Sequence, residues 1–155
     1  MPDGNSSGSS VRSLFKRPES VLVVIYTLDL DVLLICRQSP AGFWQSVTGG
    51  LEFDESPCDA AQRELFEETG ITQDVIDHRV QRVFPIKSAW KKHFAPGVTE
   101  NLEHEFSVQL AGRCPIVLEP TEHSDYLWLP IVEAIAKVSS RSNRSALQAI
   151  LKAEG

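Results

Sequence analysis

Residues 49–71 read GGLEFDESPCDAAQRELFEETGI, and three acidic residues in this stretch, Glu64, Glu67 and Glu68, directly follow Arg63. On a helix, side chains at i, i+3 and i+4 share one face, so the three carboxylates should lie together. Like charges at that spacing destabilise a helix by roughly 0.2–0.5 kcal/mol per pair. The negative end of the helix dipole opposes them as well. A divalent cation would reverse both effects, because hard cations such as Mg²⁺ take oxygen ligands. The stretch therefore predicts a metal site.

The boundaries of this helix can be predicted from its ends. Ser56 is a suitable N-cap, Pro57 suits the first helical position, and Asp59 completes an S-x-x-D capping pattern. Gly70 fits the position after the last turn, where a left-handed residue stops a helix. We expect a helix between these caps.

The chain has three cysteines, Cys36, Cys58 and Cys114, without the spacing of a metal site. Cys36 lies in an apolar run, and Cys58 falls on a helical-wheel stripe with Ala61 and Leu65, which predicts that it packs against the core. We therefore expect buried, reduced thiols rather than a disulfide or a zinc site.

Length and composition indicate one globular domain. The chain has 155 residues, 17.2 kDa and a net charge of −6. Residues 1–12 are expected to form a disordered N-terminal tail and residues 13–155 a single domain. The acidic charge argues against a nucleic-acid polymer as partner, although a metal can bridge acidic residues to a phosphorylated small molecule. We find no apolar run of membrane-spanning length and no signal peptide, so we expect no membrane partner and a cytoplasmic location. The oligomeric state is not predicted.

The remaining segments indicate strands alternating with helices. Apolar runs predict strands at residues 20–28, 32–37, 79–86, 102–110 and 126–129, and a short helix at residues 131–137. A second helix is expected from Asn143, capped by Ser142 or Asn143. This order of elements is typical of an α/β layered fold.

Residues 49–71 resemble the Nudix box, G-x5-E-x7-R-E-U-x-E-E-x-G-U, where U is a bulky aliphatic residue. The matching positions are Gly49, Glu55, Arg63, Glu64, Leu65, Glu67, Glu68, Gly70 and Ile71. The resemblance implies an α/β/α sandwich with a mixed sheet, in which the box forms a loop–helix–loop. It also implies an enzyme that breaks a P–O–P bond with water and Mg²⁺, with Mn²⁺ as an alternative.

The metal and catalytic roles follow from this resemblance. Glu64 and Glu68 are the first candidates as metal ligands, with Glu67 third. The resemblance implies Glu122 as a further ligand from outside the helix, although a lone loop glutamate is more often only solvated. The general base stays undecided among Glu64, Glu67 and Glu122. Arg63 either orients a catalytic carboxylate or forms a surface salt bridge.

We expect structural roles for the remaining residues of the box. Gly49 and Gly50 would allow backbone conformations closed to other residues. Glu55 either complements the helix dipole or contributes to the metal site, and these two interpretations stay open. Gly70 would end the helix.

Short motifs flank the box, among them FWQSVTG at residues 43–49 and FAPGVT at residues 94–99. In this order they resemble a branch of the Nudix family that hydrolyses dihydroneopterin triphosphate, also described as dATP pyrophosphohydrolases. That branch forms a monophosphate and pyrophosphate as a step of folate synthesis. The resemblance implies that the substrate-binding residues are Lys16, Arg37, Thr48, Phe84, Pro85, Ile86, Lys87 and Ser140. General hydrolysis of (d)NTPs, chiefly dATP, is the second hypothesis, and a non-catalytic Nudix module that senses a nucleotide is the third.

One basic and aromatic patch stands out in the acidic chain, and it comprises Lys87, Trp90, Lys91, Lys92, His93 and Phe94. It would either attract a triphosphate and stack a flat ring, or be a mobile surface loop. His93, His104 and His123 lack the spacing of paired ligands, so no metal or acid–base role is predicted for them.

Overall fold

The structure is a computed structural model that describes residues 15–155, so the tail predicted for residues 1–12 lies outside the described residues. Its strands are β1 (Glu19–Thr27), β2 (Asp31–Arg37), β3 (Trp44–Gln45), β4 (Val47–Gly50), β5 (Ile76–Pro85), β6 (Glu100–Leu110) and β7 (His123–Pro130). Its helices are α1 (Pro57–Thr69), α2 (Ile131–Lys137) and α3 (Arg141–Glu154), with a 3-10 helix at Ser88–His93.

All seven strands belong to one mixed sheet. The main order is β3-β2-β1-β6-β5, while β4 pairs with β1 and β7 pairs with β2. The central strands β1 and β6 run parallel, and the other pairs are antiparallel. The mixed sheet that the resemblance implied is confirmed.

Helices cover both faces of this sheet. Successive side chains of a strand point to opposite faces, and β1 is apolar on both. Val21 and Val23 pack in the cluster that contains Leu65 of α1. Leu22, between them, packs in the cluster that contains Leu147 of α3. The α/β/α sandwich is therefore confirmed, because a strand buried on both faces needs a helix layer on each side.

The predicted start of the last helix was wrong. α3 begins at Arg141, and its N-cap is Ser140, whose hydroxyl accepts a hydrogen bond from the N–H of Asn143 at 3.2 Å. Asn143 is fully buried, and its side chain binds Ser46, the residue between β3 and β4. Its Oδ1 accepts a hydrogen bond from Ser46 N at 2.7 Å, and its Nδ2 donates to Ser46 Oγ at 3.0 Å. The side chain that looked like a cap thus anchors α3 to the segment before the box.

The prediction that Cys58 is buried was also wrong. Cys58 is exposed because the core-facing part of α1 begins only at Ala60, after an exposed or half-buried first turn. Cys36 is buried and Cys114 half-buried, and all three thiols are free, as expected. Within the described part of the chain, the helices are too short or too polar for a membrane span.

Candidate active site

α1 carries two of its acidic residues into the protein. The helix is capped by Ser56, has Pro57 at its start and ends at Gly70, whose φ of 80° is left-handed, as predicted. Its last turn contains no basic residue. Glu64 is 9% exposed and Glu68 is 2% exposed, so both carboxylates are largely removed from water.

Arg63 connects this helix to the loop that precedes it. Its guanidinium donates to both Glu55 oxygens, at 2.7 and 2.8 Å, and to the carbonyl of Gly50 at 3.0 Å. It also donates to Glu64 at 3.2 Å and to Glu67 at 3.1 Å. These hydrogen bonds lower the pKa of Glu55. Both oxygens of Glu55 are thus used to hold Arg63.

Gly49 lies in contact with the Glu64 carboxylate. A Cβ atom at residue 49 would lie 2.0 Å from Glu64 Oε2 and 2.1 Å from its Cδ, distances that real atoms do not adopt. The expected reason for the two glycines was wrong: Gly49 and Gly50 lie in β4 and neither has a positive φ. Close approach of a side chain, rather than backbone freedom, requires glycine at position 49.

Glu68, Glu122 and His123 form a compact cluster. One potential ligand atom from each lies within 4.8 Å of the others. His123 Nδ1 is 2.7 Å from Glu68 Oε1, yet among the described residues neither atom has a well-aligned hydrogen-bond partner. Buried polar atoms are rarely left in this state. Two carboxylates and an imidazole fit a divalent cation, so these residues could hold one.

A turn and a β-bulge position Glu122 and His123, the two members of the cluster outside α1. The N–H groups of Glu122 and His123 both donate to the carbonyl of Glu119, at 3.2 and 3.0 Å. The pairing of β2 with β7 shifts register between Cys36 and Arg37, directly opposite this turn. The bulge delivers Glu122 and His123 to the end of α1.

The carboxyl groups of the site influence one another's protonation. Burial, with repulsion from Glu68 and Glu67, raises the pKa of Glu64 to about 7 against the attraction of Arg63. Burial alone would raise the pKa of Glu68, but contacts with His123 and Glu122 outweigh it and lower the pKa. The hydrogen bond to Glu68 and partial burial raise the pKa of Glu122. The pKa values of Glu68 and Glu122 are thus shifted in opposite directions by their mutual contact.

The three helix carboxylates are close enough for Glu67 and Glu68 to raise the pKa of Glu64, but their surroundings differ. Glu68 joins the cluster with Glu122, Glu64 lies against Gly49, and Glu67 is exposed beside Arg63. Helical spacing alone could not separate them, because burial and neighbouring segments determine where each carboxylate points.

Part of this site borders an open cleft with a volume of about 1540 Å³. Glu64 and Glu122 lie on its walls, and so do seven of the eight predicted substrate-binding residues: Lys16, Arg37, Thr48, Phe84, Pro85, Ile86 and Lys87. Ser140 is not among the lining residues, and its hydroxyl caps α3. The cleft thus holds both carboxylates and cations, and Arg37 is the strand partner of His123, next to Glu122.

Two cationic side chains of the cleft, Arg37 and Lys87, lie beside the same two aromatic rings. The Arg37 guanidinium carbon lies 5.6 Å from the centroid of Phe43 and 5.3 Å from that of Trp90. Lys87 Nζ lies 5.9 Å from the ring of Phe43 and 5.6 Å from that of Trp90. Two cations held this close together favour an anion between them.

Part of the basic patch therefore belongs to the cleft. Lys87, Trp90 and Phe94 line it. Lys91 and Lys92 are exposed on the 3-10 helix and do not line the cleft. This geometry favours the phosphate-attracting interpretation of the patch for its cleft-lining residues.

The model of the NUDIX domain matches residues 16–149 of this chain. The chain belongs to the Nudix family. This Nudix protein is 41% identical over 143 residues to dihydroneopterin triphosphate diphosphatase of Escherichia coli (strain K12), a match that covers 87% of this chain and 93% of that protein. The Haemophilus influenzae protein of the same name is 36% identical over 143 residues, with 88% and 89% coverage.

A solved structure agrees with these relatives. The E. coli dihydroneopterin triphosphate pyrophosphohydrolase superimposes on this Nudix chain with a TM-score of 0.80 and 41% identity, covering 88% of this chain and 96% of that one. This chain is an enzyme, a Nudix hydrolase, and members of its family generally use divalent metal ions.

Sequence reasoning missed His123 and Arg17. His123 received no role, although it touches Glu68. Arg17 donates to the carbonyls of Glu52 and Glu55, at 3.2 and 2.8 Å, and so supports the box loop. Only the adjacency of His123 to Glu122 could have suggested its place, since its partner lies 55 positions away in the sequence.

Proposed function

We propose that this enzyme hydrolyses dihydroneopterin triphosphate to dihydroneopterin monophosphate and pyrophosphate, consuming one water. The observation that carries the proposal is the match over most of the chain to E. coli dihydroneopterin triphosphate diphosphatase. The cleft supports it, because a triphosphate beside Glu64 and Glu122 could also be bound by Arg37 and Lys87, which line the same cleft. The reaction would belong to folate synthesis.

We propose Mg²⁺ as the cofactor, with Mn²⁺ as an alternative. Glu68 and Glu122 would hold it, together with Glu64 after a shift of its carboxylate, and Glu67 is the weakest candidate because it is exposed beside Arg63. When bound, the cation would neutralise phosphate charge and polarise phosphorus. His123 contacts Glu68 and would orient that carboxylate.

The remaining roles concern the water and the substrate. Glu64 and Glu122 line the cleft, which favours them over Glu67 as the residue that orients or deprotonates water. Arg63 would position Glu64, and its contact with Glu55 would keep the loop in place. The predicted substrate contacts that line the same cleft complete the proposal: Lys16, Arg37, Thr48, Phe84, Pro85, Ile86 and Lys87, with Ser140, which does not line it, as a further candidate.

The test is product analysis on a panel of triphosphates that contains dihydroneopterin triphosphate and all four dNTPs. The wild-type protein with Mg²⁺ should release pyrophosphate from the pterin with the highest kcat/KM. Glu68→Gln, as a control, should lower turnover by about 10²-fold or more, because it removes charge from the cation site. A clear preference for dATP would replace the pterin with the second hypothesis.

Absence of hydrolysis would favour the third hypothesis, a nucleotide-sensing module. Release of neither phosphate nor pyrophosphate from any member of the panel, with Mg²⁺ or Mn²⁺, would support it. Every glutamate of the box is present in this chain, which favours catalysis.

A further inference from the structure

Glu103 of β6 is a buried carboxylate that belongs neither to the cation cluster nor to the box. It is 7% exposed, and no group within residues 15–155 forms a hydrogen bond to its Oε1 atom. Leaving a buried acceptor unpaired is costly, so such an atom in a folded protein calls for a reason.

The Ser142 hydroxyl forms a hydrogen bond with the Glu103 carboxyl, and among the described residues only Oε1 is left without a partner. Arg82 is the strand partner of Glu103 in β5, but its guanidinium binds Glu105, two residues further along β6. Burial raises the pKa of Glu103, and the Ser142 hydroxyl and Arg82 only partly offset that effect. Glu105 is similarly buried but is paired with Arg82. The two carboxylates therefore differ in whether a cationic side chain binds them, and not in burial.

The strand register places Glu103 next to two residues of the cleft, although Glu103 itself does not line it. Its partner in β1 is Ser20, and Asn101 lies two residues before it, on the same face of β6. Ser20 and Asn101 both line the cleft and are joined by a hydrogen bond of 2.8 Å from Asn101 Nδ2 to Ser20 Oγ. Phe84, the strand partner of Asn101, also lines the cleft and is 38% exposed. A flat ring that packs on Phe84 would lie beside Asn101, two residues along β6 from Glu103.

We propose that Glu103 is a specificity-determining residue that binds the 2-amino edge of the substrate's pterin ring. This inference rests on the proposed function. A pterin presents its 2-amino group and the neighbouring ring N–H as two parallel donors, which match the two acceptors of a carboxylate. Adenine presents an amino donor beside a ring nitrogen that is an acceptor, and that lone pair would face the carboxylate. Glu103 would thus favour the pterin over dATP.

The experiment compares kcat/KM for dihydroneopterin triphosphate and for dATP in three proteins: wild type, Glu103→Gln and Glu105→Gln. Glutamine keeps the shape of glutamate but places an N–H where the ring donates, so Glu103→Gln should lower kcat/KM for the pterin by about 10- to 100-fold. The value for dATP should change by less than about threefold, because dATP does not gain from the carboxylate. Glu105→Gln, the matched control, should affect both substrates equally.

The two proposals fail in different ways. If wild-type protein does not cleave the pterin triphosphate, the proposed function is wrong. Suppose instead that the wild-type protein cleaves it, and that Glu103→Gln lowers kcat/KM equally for both substrates or for neither. Glu103 then has a structural role, and the inference is overturned.

A second measurement applies if Glu103→Gln does not fold. Dihydroneopterin and an analogue without the 2-amino group would be compared as competitive inhibitors of the wild-type protein. Weaker inhibition by the analogue, by about tenfold or more, is expected. Equal inhibition would refute the contact.

Discussion

Gly49 and Glu64 determine each other's geometry. The Glu64 carboxylate packs directly on the backbone of residue 49, where any side chain would displace it. Gly50 differs, since a Cβ there would lie 3.8 Å from the carbonyl of Glu19, an ordinary contact. Of the two neighbouring glycines, only the first is required by sterics.

Gly49→Ala should therefore lower kcat by about 10- to 100-fold, because it moves the Glu64 carboxylate by an ångström or more. Steady-state kinetics would measure this, with Gly50→Ala as the control that keeps near wild-type turnover. Equal loss in both variants would show that the contact with Glu64 is not the reason.

The raised pKa of Glu64 has a consequence for stability. Its folded pKa of about 7 lies above the ordinary value of 4.5, so ionisation of Glu64 opposes folding. The stability that the neutral carboxyl provides is complete below about pH 4.5 and is lost as pH rises through 7. Glu64→Gln should thus stabilise the metal-free protein by about 1–3 kcal/mol at pH 8, and much less at pH 5.

Urea unfolding in the presence of a chelator would measure this difference at the two pH values. Glu68→Gln serves as the comparison, because the pKa of Glu68 is lowered and its ionised form already suits the fold. Stabilisation by Glu64→Gln that is equal at pH 5 and pH 8 would argue against a buried, titrating carboxyl.

The helices obtain their boundaries from local hydrogen bonds and their positions from tertiary ones. α1 starts at Ser56 and stops at Gly70 by local geometry, whereas Arg63 ties it to the preceding loop. α3 starts at Ser140, and the buried Asn143 attaches it to Ser46.

Ser140→Ala should lower the free energy of unfolding by about 1 kcal/mol, the usual cost of losing an N-cap. Ser140→Asp keeps a capping oxygen and should restore most of that stability. Chemical denaturation measures both, and KM measured alongside separates capping from substrate binding. If Ser140 contacts the substrate, KM will rise in both variants, including the one that restores the cap.

At the scale of the whole molecule, the site connects two distant parts of the chain. Glu68 belongs to α1, and Glu122 and His123 lie where β7 begins, so a cation there would link α1 to the start of a strand of the sheet. A ligand that binds only the folded state stabilises that state by mass action.

Mg²⁺ at about 100 times its Kd should therefore raise stability by about 2.7 kcal/mol and raise Tm accordingly. Thermal unfolding with and without Mg²⁺ measures this shift. Glu68→Gln should remove most of the shift, whereas the control Glu67→Gln should retain it, since Glu67 is exposed. A full shift in Glu68→Gln would exclude Glu68 as a ligand.

Local patterns in the sequence determined much of this protein. The caps Ser56 and Gly70, the apolar run of β1 and the box residues were predictable, because each depends on neighbours within a few positions. The resemblance to the Nudix family added the sandwich and the mixed sheet.

Only the tertiary structure decided which acidic residues meet. His123 reaches Glu68, Gly49 receives Glu64, and Glu103 lies next to two residues of the cleft. Asn143 looked like a cap by sequence and proved to be a buried anchor. These contacts join segments that are 15 to 97 positions apart. The sequence pattern of a helix or a strand specifies which residue types occur and at what local spacing, whereas burial and strand register determine which of them share a site.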